Sequence, residues 1–207
     1  MNRIRVVLGD DHALVREGIA VLLSSSGIEV AAEAGDGRGL LRAVRRTRPD
    51  VALVDVSMPL LNGIEATRRI IRISPATRVI VLSMYADEGY VAQAARAGAR
   101  GYVLKDEAPT RLIEAIAAVA EGRTYFPAGV PELAEEEGPA LTGREREVLQ
   151  LIVEGKRNAE IARIMSRSLH TVRNHRARLM HKLNAHSAAE LVEAAERLGI
   201  VRLTPRI

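Results

Sequence analysis

Through the first 120 or so residues, five short β-branched and apolar runs alternate with five segments of helical period, and no other feature constrains the fold as tightly. The runs cover 5–8, 29–32, 51–54, 79–83 and 102–104, and the helical segments cover 14–24, 37–47, 64–73, 88–97 and 109–121. Several runs are apolar throughout, as expected of parallel strands buried on both faces. Five βα units in succession predict an α/β fold with a doubly wound, five-stranded parallel sheet.

In such a sheet, ligands bind beyond the carboxyl ends of the strands. The residues at those ends are Asp10 and Asp11 after the first run, Asp55 on the third, Ser83 on the fourth and Lys105 after the fifth. Three carboxylates on neighbouring strand ends repel one another unless a cation neutralises them. An all-oxygen set of this kind suits Mg²⁺. An aspartate can also attack phosphorus to give an aspartyl phosphate, provided that charge on the phosphoryl oxygens is neutralised. Asp55, ending the central run, is the candidate nucleophile, with Lys105 and the Ser83 hydroxyl beside it. Asp10 and Asp11 are the expected Mg²⁺ ligands, with Asp55 and the Ser57 backbone carbonyl completing the shell. Read singly, any of these carboxylates could instead cap a helix or sit in solvent. Met58-Pro59 reads as loop geometry, and Gly63 and Gly98 as backbone permissiveness.

Four motifs, Gly9-Asp10-Asp11-His12, Val54-Asp55-Val56-Ser57-Met58-Pro59, Leu82-Ser83-Met84 and Gly101-Tyr102-Val103-Leu104-Lys105, resemble in order and spacing the signature of response-regulator receiver domains. The resemblance covers residues 3–122. It implies the flavodoxin-like strand order 2-1-3-4-5 (as in CheY), transfer of a phosphoryl group from a sensor histidine kinase to Asp55, and slow hydrolysis. It also implies a switch in which Ser83 turns toward the phosphoryl group and Tyr102 changes rotamer. By position alone Tyr102 is a half-buried strand aromatic. Haloacid-dehalogenase-type phosphatases use similar chemistry, but place a second Asp two residues after the nucleophile. Ser57 stands there, so an enzyme is not expected.

A stretch rich in Pro, Gly and Glu (127–139) has no helical period and predicts a linker over 123–140, dividing a domain at 1–122 from one at 141–207. The two halves differ in charge. Residues 1–140 hold 17 Lys/Arg against 19 Asp/Glu, giving −2, whereas 141–207 hold 13 against 7, giving +6, with four of the five histidines. A basic small domain beside an acidic one points to nucleic acid at the C-terminal end. There is no cysteine, which removes disulfides and thiolate metal sites. No apolar run is long enough to span a bilayer and no signal-like region opens the chain, so the expectation is a cytoplasmic protein without membrane contact.

The C-terminal domain reads as purely helical. Thr142 and Glu145 form a capping box, ahead of an apolar stripe at Val148, Leu149, Leu151 and Ile152, with Gly155 ending the helix. A short helix over 158–165, a tight Ser166-Arg167 connection and a Ser168-capped helix to Leu183 make a helix-turn-helix. On the second helix, Arg173 and Asn174 have the donors to read guanine and adenine edges. His175, Arg176, Arg178 and Lys182 are expected on phosphates. His170, His175 and His181 lack the i, i+4 spacing of a metal pair.

Leu141-Thr142-Gly143-Arg144-Glu145-Arg146-Glu147, Asn158-Ala159-Glu160-Ile161-Ala162 and the run from Ser168 to His175 resemble the LuxR-type DNA-binding domain over residues 141–203. Gly143 departs from the family's usual Pro, which weakens helix initiation slightly. The resemblance implies DNA contacts at Arg173, Asn174 and Ala177, the last purely apolar, and dimerisation through the last helix, 187–198. The two resemblances in sequence imply the NarL/FixJ architecture. The expected function is a two-component response regulator: phosphorylation of Asp55 controls dimerisation and binding of a pseudopalindromic promoter site, with RNA polymerase as a further partner. The alternative is a phosphorylation-independent transcription regulator whose receiver is a protein-interaction module.

Overall fold

The computed structural model describes residues 3–84, 88–127 and 141–201. The chain divides into two compact units, 1–134 and 135–207. The first alternates β1 (Arg5–Gly9), α1 (Ala13–Ser25), β2 (Glu29–Ala34), α2 (Gly37–Thr47), β3 (Val51–Asp55), α3 (Gly63–Ile73), β4 (Arg78–Ser83), α4 (Glu88–Arg96), β5 (Gly101–Leu104) and α5 (Ala108–Ala120). All neighbouring strands pair in parallel, in the order β2-β1-β3-β4-β5. This is the order that the receiver resemblance implied.

Period-two alternation along the central strands builds two cores, one on each sheet face. Val7, Ala52, Val54, Val79 and Val81 face one cluster, with Leu40 and Val44 of α2, Ile70 of α3 and Val91 of α4. Val6, Leu8, Val51, Leu53, Ile80 and Leu82 face the other, with Ile19 and Leu23 of α1 and Leu112 and Ile116 of α5. Each fully buried Val, Leu or Ile contributes roughly 1.5–3 kcal/mol by leaving water. With both faces so loaded, a one-residue slip of a central strand would exchange its whole side-chain set between cores.

Residues 123–127, which the sequence assigns to the linker, are tied to the receiver. Tyr125 bridges to Gly101, its N–H donating to the Arg100 carbonyl (2.9 Å) and its carbonyl accepting from the Tyr102 N–H (2.8 Å). The rest of the expected linker, 128–140, lies outside the described residues.

The second unit holds α6 (Gly143–Val153), α7 (Asn158–Met165), α8 (Leu169–Lys182) and α9 (Ala188–Arg197). The capping box at Thr142 and Glu145 forms, and Ser168 caps α8 by accepting from the Thr171 N–H. Ser166 turns the chain between α7 and α8 in the left-handed region, at φ 53°. Leu149, Ile161, Val172, Leu179 and Leu191 make a shared core; on α9 it takes Ala194 as well as Ala195, and leaves Val192 half-buried. Among the described residues, no helix is long and apolar enough to cross a membrane.

One expectation changes in kind. Gly98 has a positive φ of 92°, but Gly63 does not; a Cβ on Gly63 would overlap the Asp55 carbonyl oxygen. Gly63 is therefore required for close approach of α3 to the end of β3. We predict that Gly63→Ala costs about 1–3 kcal/mol or more through backbone overpacking. Gly18→Ala, at an exposed site of α1 with nothing within 4 Å of the added carbon, should gain about 0.5–1 kcal/mol. Thermal melts of the two variants should move in opposite directions.

Candidate functional site

The parallel register carries the acidic residues to one end of the sheet. Gly9 pairs with Val54, so Asp10 and Asp11 leave β1 beside Asp55, the last residue of β3. Asp55 pairs with Leu82, which sets Ser83 one step further along β4. Ser83 pairs with Leu104, and the Lys105 N–H donates to the Ser83 carbonyl at 2.8 Å, fixing the start of the lysine side chain.

Lys105 reaches back across the sheet. Its Nζ lies 2.8 Å from Asp10 Oδ2 and 3.0 Å from Asp55 Oδ1, with all three side chains at most 5% exposed. The second Asp55 oxygen, Oδ2, is buried without a hydrogen-bond partner. Burial lifts the Asp55 carboxyl from 3.8 to about 6; Lys105 opposes the shift and the Asp10 charge adds to it. Burial acts against the Lys105 ammonium too, yet the Asp55 charge and the hydrogen bond to Asp10 outweigh it, and its pKa is raised. One cation thus serves two carboxylates and leaves them incompletely compensated. Ligand atoms of Asp10, Asp11, His12 and Asp55 lie within 4.8 Å of one another, close enough to share a metal ion.

The loop after Asp55 is built tightly. Gly63 N–H donates to the Val56 carbonyl, Gly37 N–H donates to the Pro59 carbonyl, and Leu60 takes a positive φ of 65°. Met58 is buried beneath this loop while Ser57 is exposed at the site's mouth. Tyr102 is 1% exposed, deeper than the half-buried position that its sequence context suggests, and Ser83 is 2% exposed. Sequence reasoning gave His12 no role, yet its Nδ1 stands 2.9 Å from Asp11 Oδ1. The Asp-Asp-His order was visible in the sequence, but not the turn of the ring toward the acids. Arg16 was also missed: its Nη1 donates to the Asp10 carbonyl at 2.7 Å and its Nε pairs with Glu33.

In the second unit, α8 divides its polar residues between two roles. Arg173, Asn174, Ala177 and Arg178 are exposed and share one face, which His170 and His181 extend. His170 Nε2 lies 3.1 Å from Asn174 Nδ2. The other three expected DNA residues turn to the scaffold. Arg176 donates to Asn158 Oδ1 at 3.3 Å, and half-buried His175 has its Nδ1 buried without a partner. Lys182, expected on phosphate, pairs with Glu145 Oε2 at 2.8 Å. Burial would raise the Glu145 carboxyl, but hydrogen bonds from Lys182 and Thr142 hold it below its usual value.

The raised Asp55 pKa has a measurable consequence. A carboxyl with a higher pKa folded than unfolded stabilises the fold below the unfolded value and loses that contribution as pH rises through the folded one. In chelator, Asp55→Asn should therefore be more stable than wild type near pH 7, by up to about 3 kcal/mol. The gain should vanish as pH falls from about 6 to below 3.8, where the aspartate takes its proton. Denaturant unfolding of both proteins at the two ends of this range checks it; a gain that is independent of pH would contradict it.

Residues 6–117 match the response regulator receiver domain family, and residues 139–195 match the bacterial regulatory proteins of the luxR family. The chain is 40% identical over 215 residues to the transcriptional regulatory protein YxjL of Bacillus subtilis (strain 168), covering 97% of this chain and 99% of that one. It is 35% identical over 208 residues to the response regulator UvrY of Escherichia coli (strain K12), covering 95% of each. Among solved structures, the two-component response regulator RcsB in complex with DNA is similar at a TM-score of 0.59 and 31% identity, over 94% of this chain and 98% of that one. The chain belongs to the two-component response regulators, with a receiver domain followed by a LuxR-family domain.

Proposed function

We propose that Asp55 is the phosphoacceptor of this regulator, and that its phosphorylation controls binding of promoter DNA by the C-terminal helix-turn-helix. The observation that carries the first half is Asp55 Oδ2, a buried carboxylate oxygen without a partner beside a lysine ammonium. The Asp55 carboxylate attacks phosphorus of a phosphohistidine on a sensor kinase through one oxygen, while the other faces the cation. The new O–P bond forms as the N–P bond breaks, and the electron pair leaves with the imidazole of the donor. Lys105, already 3.0 Å from Oδ1, moves its charge to a phosphoryl oxygen. The Ser83 hydroxyl donates to another, and Tyr102 reports the change on β5. Asp10, Asp11, Asp55 and the Ser57 carbonyl would hold Mg²⁺, whose charge offsets that of the incoming phosphoryl oxygens. The unpartnered Oδ2 and the all-oxygen set fit that ion.

On DNA, Arg173 and Asn174 read base edges, Ala177 contacts a thymine methyl and Arg178 contacts phosphate. His175, Arg176 and Lys182 join them only after leaving their scaffold positions. The active form is a homodimer on a pseudopalindromic site, with α9 as the dimerising helix. RNA polymerase is the downstream partner and the cytoplasm the place of action. The functional domains are 1–122 and 141–207, and the RcsB–DNA complex supports the DNA-binding half.

Two measurements test this reading. Incubation with Mg²⁺ and a small phosphodonor should add one phosphoryl mass to wild type and none to Asp55→Asn; an equal gain in both would move the acceptor elsewhere. In a DNA-binding titration, Arg173→Ala should cost about 1–3 kcal/mol and relax discrimination at one base position. Arg178→Ala should weaken all sequences alike and lower the salt slope by about one. The assignment fails if these two signatures are exchanged.

A further inference from the structure

The imidazole of His12 has no part in the phosphoryl chemistry above, yet it faces the acidic cluster. Its Nδ1 lies 2.9 Å from Asp11 Oδ1 and 3.5 Å from Asp10 Oδ1. Packing does not hold it there, since the side chain is 64% exposed. Helix capping does not explain it either: His12 is the N-cap residue of α1, but its side chain makes no capping hydrogen bond. Its backbone N–H already donates to Asp10 Oδ1 at 2.9 Å, fixing the ring's root beside the site.

Two ligand atoms at right angles on one ion, each with a bond of about 2.1 Å, stand about 3 Å apart. The spacing from Nδ1 to Asp11 Oδ1 is of that size, and the spacing to Asp10 Oδ1 is half an ångström longer. An independent sign that a cation belongs here is Asp55 Oδ2, buried within the same cluster and without a partner. We infer that His12 is a fifth protein ligand, which turns an all-oxygen site into a mixed oxygen–nitrogen site for first-row transition-metal dications. Mg²⁺ is a hard ion that prefers oxygen, whereas imidazole binds well to iron, nickel and zinc. Affinity for N/O sites rises from Mn²⁺ through Fe²⁺ and Co²⁺ to Ni²⁺. Nδ1 either shares a proton with Asp11 or gives its lone pair to the metal, so the Asp11 contact is exchanged for coordination. The cation at the phosphoacceptor then depends on the metals available, and His12 sets the preference. This inference rests on the reading of the cluster as the receiver's cation site.

The test is calorimetric titration of the full chain with Mg²⁺ and, separately, with Ni²⁺ at neutral pH, for wild type, His12→Ala, His12→Gln and Asp55→Asn. His170, His175, His181 and His186 are present in all four proteins and give a common background. Both His12 variants should lower the Ni²⁺ over Mg²⁺ preference of the site about tenfold or more. A preference that changes less, whether affinities fall together or not at all, would overturn the nitrogen ligand. Asp55→Asn should weaken both ions. Unchanged Mg²⁺ binding in that variant would instead remove the cation-site reading itself, a separate failure. Co²⁺ absorption gives a second readout: its visible bands should differ between wild type and His12→Ala, and identical spectra would also overturn the proposal.

Discussion

The Lys105 ammonium between Asp10 and Asp55 is the interaction on which the buried acidic cluster of the receiver depends. Two carboxylates buried side by side would repel strongly, and removing charges from water is costly unless they are paired. Lysine supplies one positive charge on a long arm, and the strand order makes that length necessary. β5 is two strands away from β3 and three from β1, so the side chain must extend over the end of β4 to reach both acids. The backbone bond from Lys105 to Ser83 anchors the arm at the strand it crosses. A single cation is shared by two buried anions, and burial together with the Asp10 charge keeps the Asp55 pKa raised despite it. That residual need for positive charge is a physical reason for this cluster to suit a cation.

Much of this was legible in the sequence because it follows from periodicity. Short apolar runs locate β1, β3 and β4, and the acids that follow the first and third runs set Asp10, Asp11 and Asp55 at one edge. The strand order came from family resemblance, since short parallel strands carry no local mark of their neighbours. What escaped depends on contacts between residues distant in the chain. The need for Gly63 comes from the Asp55 carbonyl eight residues earlier, and its φ gives no sign of it. Lys182 lies 37 residues from Glu145. In a basic helix it reads as one more phosphate contact, and only the fold reveals a buried carboxylate beneath it.

That division on α8 has its own logic. The turn of a helix-turn-helix is short, so the angle of the recognition helix is set by whatever fastens its flanks. Arg176 reaches α7 at Asn158, and Lys182 reaches the capping box of α6 at Glu145. Lys182 is also the last residue of α8, where a cation meets the negative end of the helix dipole favourably. Basic residues that hold the helix in place and basic residues that face outward thus alternate along fourteen residues.

The pairing of Tyr125 with β5 matters for more than local geometry. An unpaired outer strand offers a row of open amides and carbonyls to any passing chain. On the β2 side, exposed Glu29 and Glu33 place charged side chains along the rim, paired with Arg5 and Arg16. On the β5 side, Tyr125 pairs with the backbone of Arg100 and Tyr102. A receiver severed after residue 122 would lose that cover next to the buried Tyr102, leaving it prone to strand-to-strand self-association.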